Sequence, residues 1–190
     1  MYLHEMERCT TLIAGLMTAS LVLAQGPASK IFTLSSNDVG GQATLQQVFN
    51  GFGCTGANIS PQLSWQHAPE GTKSFAVTMY DPDAPTGSGW WHWLAFDIPA
   101  TVNELPSGAG TPGKSGMPAG VIQSRTDYGS PGYGGPCPPE GHGPHQYLVT
   151  VYALSTDKLG LDAEASPAVV GYTLNSKKLA KASIVFYYER

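Results

Sequence analysis

The sequence predicts a mainly β protein. From Ile31 onward the apolar stretches are short, rich in β-branched and aromatic residues, and interrupted about every ten to fifteen positions by Gly, Pro or Asn, which is the rhythm of strands and turns. The 23 Gly and 15 Pro among 190 residues supply those interruptions. The sequence carries no internal repeat and no alternation of strands with long helices, which disfavours a doubly wound nucleotide-binding fold.

The first segment stands apart. Residues 9–24, CTTLIAGLMTASLVLA, carry no charge, follow Arg8 and are short for a bilayer span, the shape of an export signal. We therefore expect residues 1–24 to be a signal peptide and residues 25–190 to be one domain, periplasmic or secreted. Glu5 and Glu7 offset Arg8, and Val22-Leu23-Ala24 half meets the small-x-small cleavage rule, so an uncleaved N-terminal anchor is the competing reading. A domain of this length can bury one hydrophobic core.

Along that domain, residues 74–80, SFAVTMY, and 90–98, WWHWLAFDI, read as strands separated by the turn-rich DPDAP. Residues 102–140 hold almost no apolar run, and so long an irregular stretch in a compact domain usually shapes a binding site. Residues 145–154, HQYLVTVYAL, form the clearest strand. His145, Tyr147, Val149 and Val151 share one face and Gln146, Leu148, Thr150 and Tyr152 the other, and both faces read as largely buried. In SPAVVGYTL, residues 166–174, Ser166 at the N-cap and Pro167 at the first helical position start a helix that Gly171 keeps short. The strand-like ASIVFYYE opposes Ile184, Phe186 and Tyr188 to Val185 and Tyr187.

Charge excludes one class of partner. With a net charge of -4, ten Lys and Arg, and no basic run longer than Lys177-Lys178, the chain has nothing with which to neutralise a nucleic-acid backbone. Of the three cysteines, Cys9 leaves with the leader. Cys54 and Cys137 remain in Gly-rich loops, where an oxidising compartment lets them form a disulfide; two buried thiols are the alternative. Neither belongs to a CxxC pair.

Two clusters concentrate chemistry. The first, DPDAPTGSGWWHW at residues 81–93, brings Asp81, Asp83, Trp90 and His92 together; Asp81 and Asp83, two apart in an extended stretch, would face the same way. An isolated DPD is as often a solvated turn, and an isolated histidine is usually structural. An imidazole set in a wall of tryptophans needs a buried partner, however, and the aspartates are the natural ones. The second cluster, GYGGPCPPEGHGPHQY at 132–147, is a loop whose backbone N–H groups can approach a ligand, and it delivers His145 and Tyr147 on one face at the start of a strand. Imidazole and phenol suit phosphoryl or carboxyl oxygens.

The same motifs, DPDAP, GWWHW and GPCPPEGHGPHQY, preceded by FGCTGANISPQLSW at 52–65, resemble the phosphatidylethanolamine-binding protein family in its bacterial Raf kinase inhibitory protein-like YbhB/YbcL branch. The resemblance spans about residues 30 to 190. It implies an antiparallel two-sheet β-sandwich with small peripheral helices, and a pocket for phosphate or phosphorylethanolamine-like groups. The residues it assigns to that pocket are Asp81, Asp83, Trp90, His92, Gly135, Pro136, Cys137, Pro138, Pro139, His145 and Tyr147. The short TGSG after DPDAP, and a C-terminus without the extra helix of the animal proteins, make kinase inhibition transfer poorly.

We thus expect a non-enzymatic binder of a small phosphate-like anion or phospholipid headgroup, needing no cofactor, with a protease or kinase as a possible protein partner. The alternatives are a small hydrolase or metal-dependent enzyme using the Asp/His cluster, and an interaction scaffold with a structural pocket. A hydrolase lacks a GxSxG elbow, since Ser115 sits in GKSGM, although His142 or His145 could approach Cys137. Zinc at His142-x-x-His145 meets Pro144, which prevents helical presentation, so no metal ligand is assigned. If the aspartates orient and polarise His92 and His145, anion binding should strengthen at mildly acidic pH, where a histidine near its reference pKa of about 6.5 gains a proton.

Overall fold

The computed structural model describes residues 30–190; the expected signal peptide lies outside them. Ten strands and one helix occur in the order β1 (Thr33–Ser35), β2 (Asn50–Gly51), β3 (Cys54–Thr55), β4 (Leu63–Gln66), β5 (Ser74–Asp81), β6 (Trp90–Pro99), β7 (Glu104–Leu105), β8 (Ile122–Gln123), β9 (His145–Leu154), α1 (Pro167–Lys177) and β10 (Lys178–Tyr188). Five strands make the main sheet, β10-β9-β5-β6-β8, every named pair antiparallel. A smaller sheet, β1-β4-β7, packs over one face of it, and β2 with β3 forms a hairpin. The fold is a mainly β, antiparallel sandwich.

Alternation along the strands sorts the core into two layers. On the inner face Phe75, Val77, Met79, Val149, Val151 and Phe186 meet Leu34, Leu63, Trp65 and Leu105 of the smaller sheet. On the outer face Ala76, Leu94, Phe96 and Leu154 are covered by Val170 and Leu174 of α1. The helix runs three residues beyond the expected Leu174, through Gly171. A glycine costs a helix only about 1 kcal/mol, and burial of Val170 and Leu174 at 0% exposure outweighs it. β10 likewise begins before the expected ASIVFYYE, because Lys178–Ala182 continue the pairing with β9. The expected outer face of β9 is less covered than the inner one: Gln146, Leu148 and Tyr152 are half-buried.

Strand β6 is two residues longer than β5 needs. Phe75 pairs with Ile98 and Val77 with Ala95, so Phe96 and Asp97 together oppose Ala76. Asp97 absorbs the irregularity in the left-handed region at φ 62°, and its carboxylate accepts the Leu159 N–H at 2.8 Å. Nearer the turn, Met79 pairs with Trp93 and Tyr80 with Trp91, which leaves His92 as the extra residue of a second bulge. Trp91 therefore faces outward against Tyr80, while His92 and Trp93, though consecutive, both turn inward.

Candidate functional site

The inward residues at one end of β5, β6 and β9 enclose a cavity of about 170 Å³. Asp81 ends β5 and is 3% exposed. One carboxylate oxygen accepts the N–H groups of Asp83 (2.8 Å) and Ala84 (3.1 Å), closing the turn, and the other accepts Nδ1 of His145 at 2.8 Å. The aspartate is at once the turn residue that an isolated DPD suggests and the partner of an imidazole. Asp83 does not share its direction. It is exposed, and its carboxylate accepts the N–H of Gln146 at 2.8 Å, pinning the turn to the start of β9 outside the cavity. Pro82 and the turn itself break the extended geometry in which residues two apart face alike.

His145 is buried and both its ring nitrogens are engaged, Nδ1 by Asp81 and Nε2 by Nδ1 of His142 at 2.7 Å. His142 is exposed and covers it. His92, also buried, has a different partner from the one expected: its Nδ1 lies 2.8 Å from the carbonyl of Gly134. A carbonyl only accepts, so Nδ1 carries the proton. Nε2 is buried with no partner. Burial pulls this imidazole down to a pKa of about 4, against the opposing pull of the Gly134 hydrogen bond and Asp81.

Two more residues that line the cavity hold a buried, unpartnered polar atom, Nε1 of Trp90 and the hydroxyl of Tyr147. Burial first, then the charge of Asp81, pushes the Tyr147 phenol far above its usual range, so it keeps its proton. Tyr128, raised for the same two reasons, donates its hydroxyl to the Gly135 carbonyl at 2.7 Å. Among the described residues, no Lys or Arg lines the cavity.

Of the Gly-rich loop, Cys137, Pro138 and Pro139 reach the cavity, while Gly135 and Pro136 lie behind it. The N–H groups of Gly134 and Gly135 are not offered to a ligand; they go to the carbonyl of His92 (2.9 Å) and to Oδ1 of Asn58 (2.8 Å). Gly135 is needed for packing, because a Cβ there would sit 1.9 Å from the Gln47 carbonyl oxygen. Cys137 is bonded to Cys54 in a disulfide that ties the loop to the β2–β3 hairpin. At the tip of that hairpin Phe52 and Gly53 both have positive φ, 52° and 85°, as its two-residue turn requires.

The sequence reading missed five lining residues: Phe52, Ala84, Pro85, Thr86 and Tyr128. Phe52, 68% exposed at the rim, packs its ring against Phe49 and Tyr128. Phe52 lies two residues before Cys54, a neighbourhood the disulfide could have flagged. Tyr128 comes from the irregular 102–140 stretch, where no periodicity points to any side chain.

A family profile described as Phosphatidylethanolamine-binding protein matches residues 35–189. The UPF0098 protein YbcL of Escherichia coli (strain K12) is 50% identical over 181 residues, 94% of this chain and 98% of that protein. The UPF0098 protein YbhB of the same strain is 51% identical over 153 residues, 80% and 96% of the two chains. The crystal structure of E. coli YbcL, described as a new member of the mammalian PEBP family, superposes with a TM-score of 0.82 at 53% identity, covering 84% of this chain and 98% of the other. The profile, the two relatives and the structural match agree, and the chain belongs to the phosphatidylethanolamine-binding protein family.

Proposed function

We propose that the cavity binds the phosphate-like end of a small molecule or lipid headgroup and performs no covalent chemistry on it. The observation that carries this reading is that three of the residues lining the cavity, Trp90, His92 and Tyr147, each hold a buried polar atom without a partner. A buried polar group left unpaired costs about 1–3 kcal/mol, and three around one void are most economically explained by a ligand that pairs them. The volume suits a single small group, being close to the roughly 150 Å³ of an engineered cavity that takes benzene. The aromatic walls keep those hydrogen bonds away from bulk water.

The hydrolase alternative loses its cysteine, since Cys137 is held in the disulfide, and the Thr86 hydroxyl is turned onto the Gly89 carbonyl. We place the protein in the periplasm or outside the cell, a reading that the disulfide supports.

Calorimetry with inorganic phosphate and phosphorylethanolamine between pH 5 and 8 tests the pocket. Tyr147→Phe removes a donor without removing packing, and it should weaken binding by roughly 1.5–3 kcal/mol, the worth of a hydrogen bond to a charged group. Its unliganded stability should stay the same or rise, because a buried hydroxyl without a partner is gone. Absence of binding to the wild type at millimolar concentration, or equal binding by the variant, would overturn the reading.

A further inference from the structure

We propose that the outer edge of β10 takes up an extended, acidic segment of a partner protein as an added strand. This goes beyond the pocket reading and does not depend on it. The cavity lies where His145 opposes Tyr188, whereas the proposed site begins at the other end of the strand, where Lys178 opposes Leu154. β10 is the last strand of the five-stranded sheet. Close to the cavity end it has a neighbour on its outer side: the Tyr187 N–H donates to the Gly41 carbonyl at 2.9 Å, and the Tyr187 carbonyl accepts the Ala43 N–H at 2.9 Å. In an antiparallel ladder the backbone groups of alternate residues point the same way. The register with β9 is unbroken from Ala180 to Tyr188, so the N–H and C=O groups of Lys181, Ser183 and Val185 point outward with those of Tyr187. Among the described residues, none of these three has a backbone partner on that side.

Such an edge is a template for a further strand, and the side chains around it select which one. Lys177, Lys178 and Lys181 are exposed, and so are Lys73, whose N–H donates to the Leu154 carbonyl, and Lys30, which lines a cavity with Ala180. They outnumber the acids of the same region, which are Glu70 beside Lys30 and Asp157 in the turn after Ser155, whose N–H donates to the Lys177 carbonyl. Among the described residues the ion pairs fall at Arg125, His145 and Lys158, and none of these lysines is in one. This cationic end belongs to a chain whose net charge is -4. A second copy would bring the same cations to the edge, whereas carboxylates would neutralise them. The two faces differ as well. Lys181, Ser183 and Val185 are exposed on the outer face, while Ala182 and Ile184 are half-buried and pack against the inner core. A strand that alternates acidic with apolar residues therefore sets its carboxylates on the side of Lys181 and extends the inner layer with its apolar side chains.

The probe is the capped peptide Glu-Val-Glu-Val-Glu-Val-Glu, compared with its Lys-Val counterpart and with a version N-methylated along its backbone, which has no N–H to give to the ladder. Residue-resolved amide hydrogen exchange on the protein is the readout. With the acidic peptide bound, exchange at Lys181, Ser183 and Val185 should slow about tenfold, and more than at Ala182 and Ile184, which β9 already pairs. The acidic peptide should bind roughly tenfold more tightly than the lysine peptide, and Lys178→Glu with Lys181→Glu, both at exposed positions, should abolish that preference. Equal binding of the two charged peptides, equal binding of the N-methylated one, or exchange unchanged at millimolar acidic peptide overturns the proposal. Slow exchange at Lys181, Ser183 and Val185 in the protein alone overturns it too. Slowing that depends on protein concentration assigns the edge to a second copy, and slowing that is lost on deletion of residues 25–29 assigns it to the chain's own N-terminal segment.

Discussion

At the scale of single residues, the burial of His92 decides more than ligand geometry. The folded protein holds this ring neutral to a pKa of about 4, whereas an unfolded chain protonates it near 6.5. The folded value is the lower one, so the contribution to stability is fully present above pH 6.5 and is lost as pH falls through 4. The difference corresponds to about 3 kcal/mol. Urea denaturation of wild type and His92→Gln at pH 7 and pH 4 should show the wild type losing about that much more than the variant over the interval. Parallel losses would mean that the neutral ring is not what links the site to acid. Mildly acidic pH therefore does not charge this imidazole, which removes His92 from the basis of the pH dependence expected from the sequence. His145 is altered too: its two ring nitrogens are occupied by Asp81 and His142, so it offers no free donor.

At the scale of elements, the long strands were legible because their apolar runs are bounded by turn residues. Residues 145–154 coincide with β9, and 74–80 and 90–98 each fall one residue short of β5 and β6. What pattern could not give is the pair of bulges in β6, since a bulge depends on how many residues the partner strand places opposite. Read by strict alternation, His92 and Trp93 would lie on opposite faces; the structure puts both inside. Asp83 fails for a related reason, as the turn that Asp81 nucleates carries it away from the site. The hairpin and the Gly-rich loop are a further case, because their proximity is set by the disulfide across 83 positions of sequence. Removing that link as Cys54→Ser with Cys137→Ser should cost roughly 2–5 kcal/mol. The same double variant should bind phosphorylethanolamine more weakly, since Phe52, Pro138 and Pro139 form the rim that the bond holds. Unchanged midpoints in chemical denaturation would assign the stability of this rim to Asn58 and the Gly134 and Gly135 hydrogen bonds instead.

At the scale of the whole molecule, the proposed export and the architecture meet in the same bond. Purified from its native compartment, the protein should have an intact mass that begins near Gln25, and its two remaining cysteines should resist alkylation until reductant is added. A mass that retains residues 9–24 would favour the anchor, and thiols alkylated without reductant would remove the oxidising compartment from the account. The family and the sandwich were legible from spaced motifs, while the donor and acceptor pattern inside the cavity required coordinates. The bulge at His92 carries one more consequence, for the way such a chain can change length. Losing one residue from a paired strand normally turns every following side chain to the wrong face. Here the register already reads Tyr80 with Trp91 and Met79 with Trp93, so a chain without His92 would keep each pairing and restore plain alternation. His92 is thus one of two inserted residues in β6, and one that a sheet of this kind could gain or lose in a single codon without reordering its core.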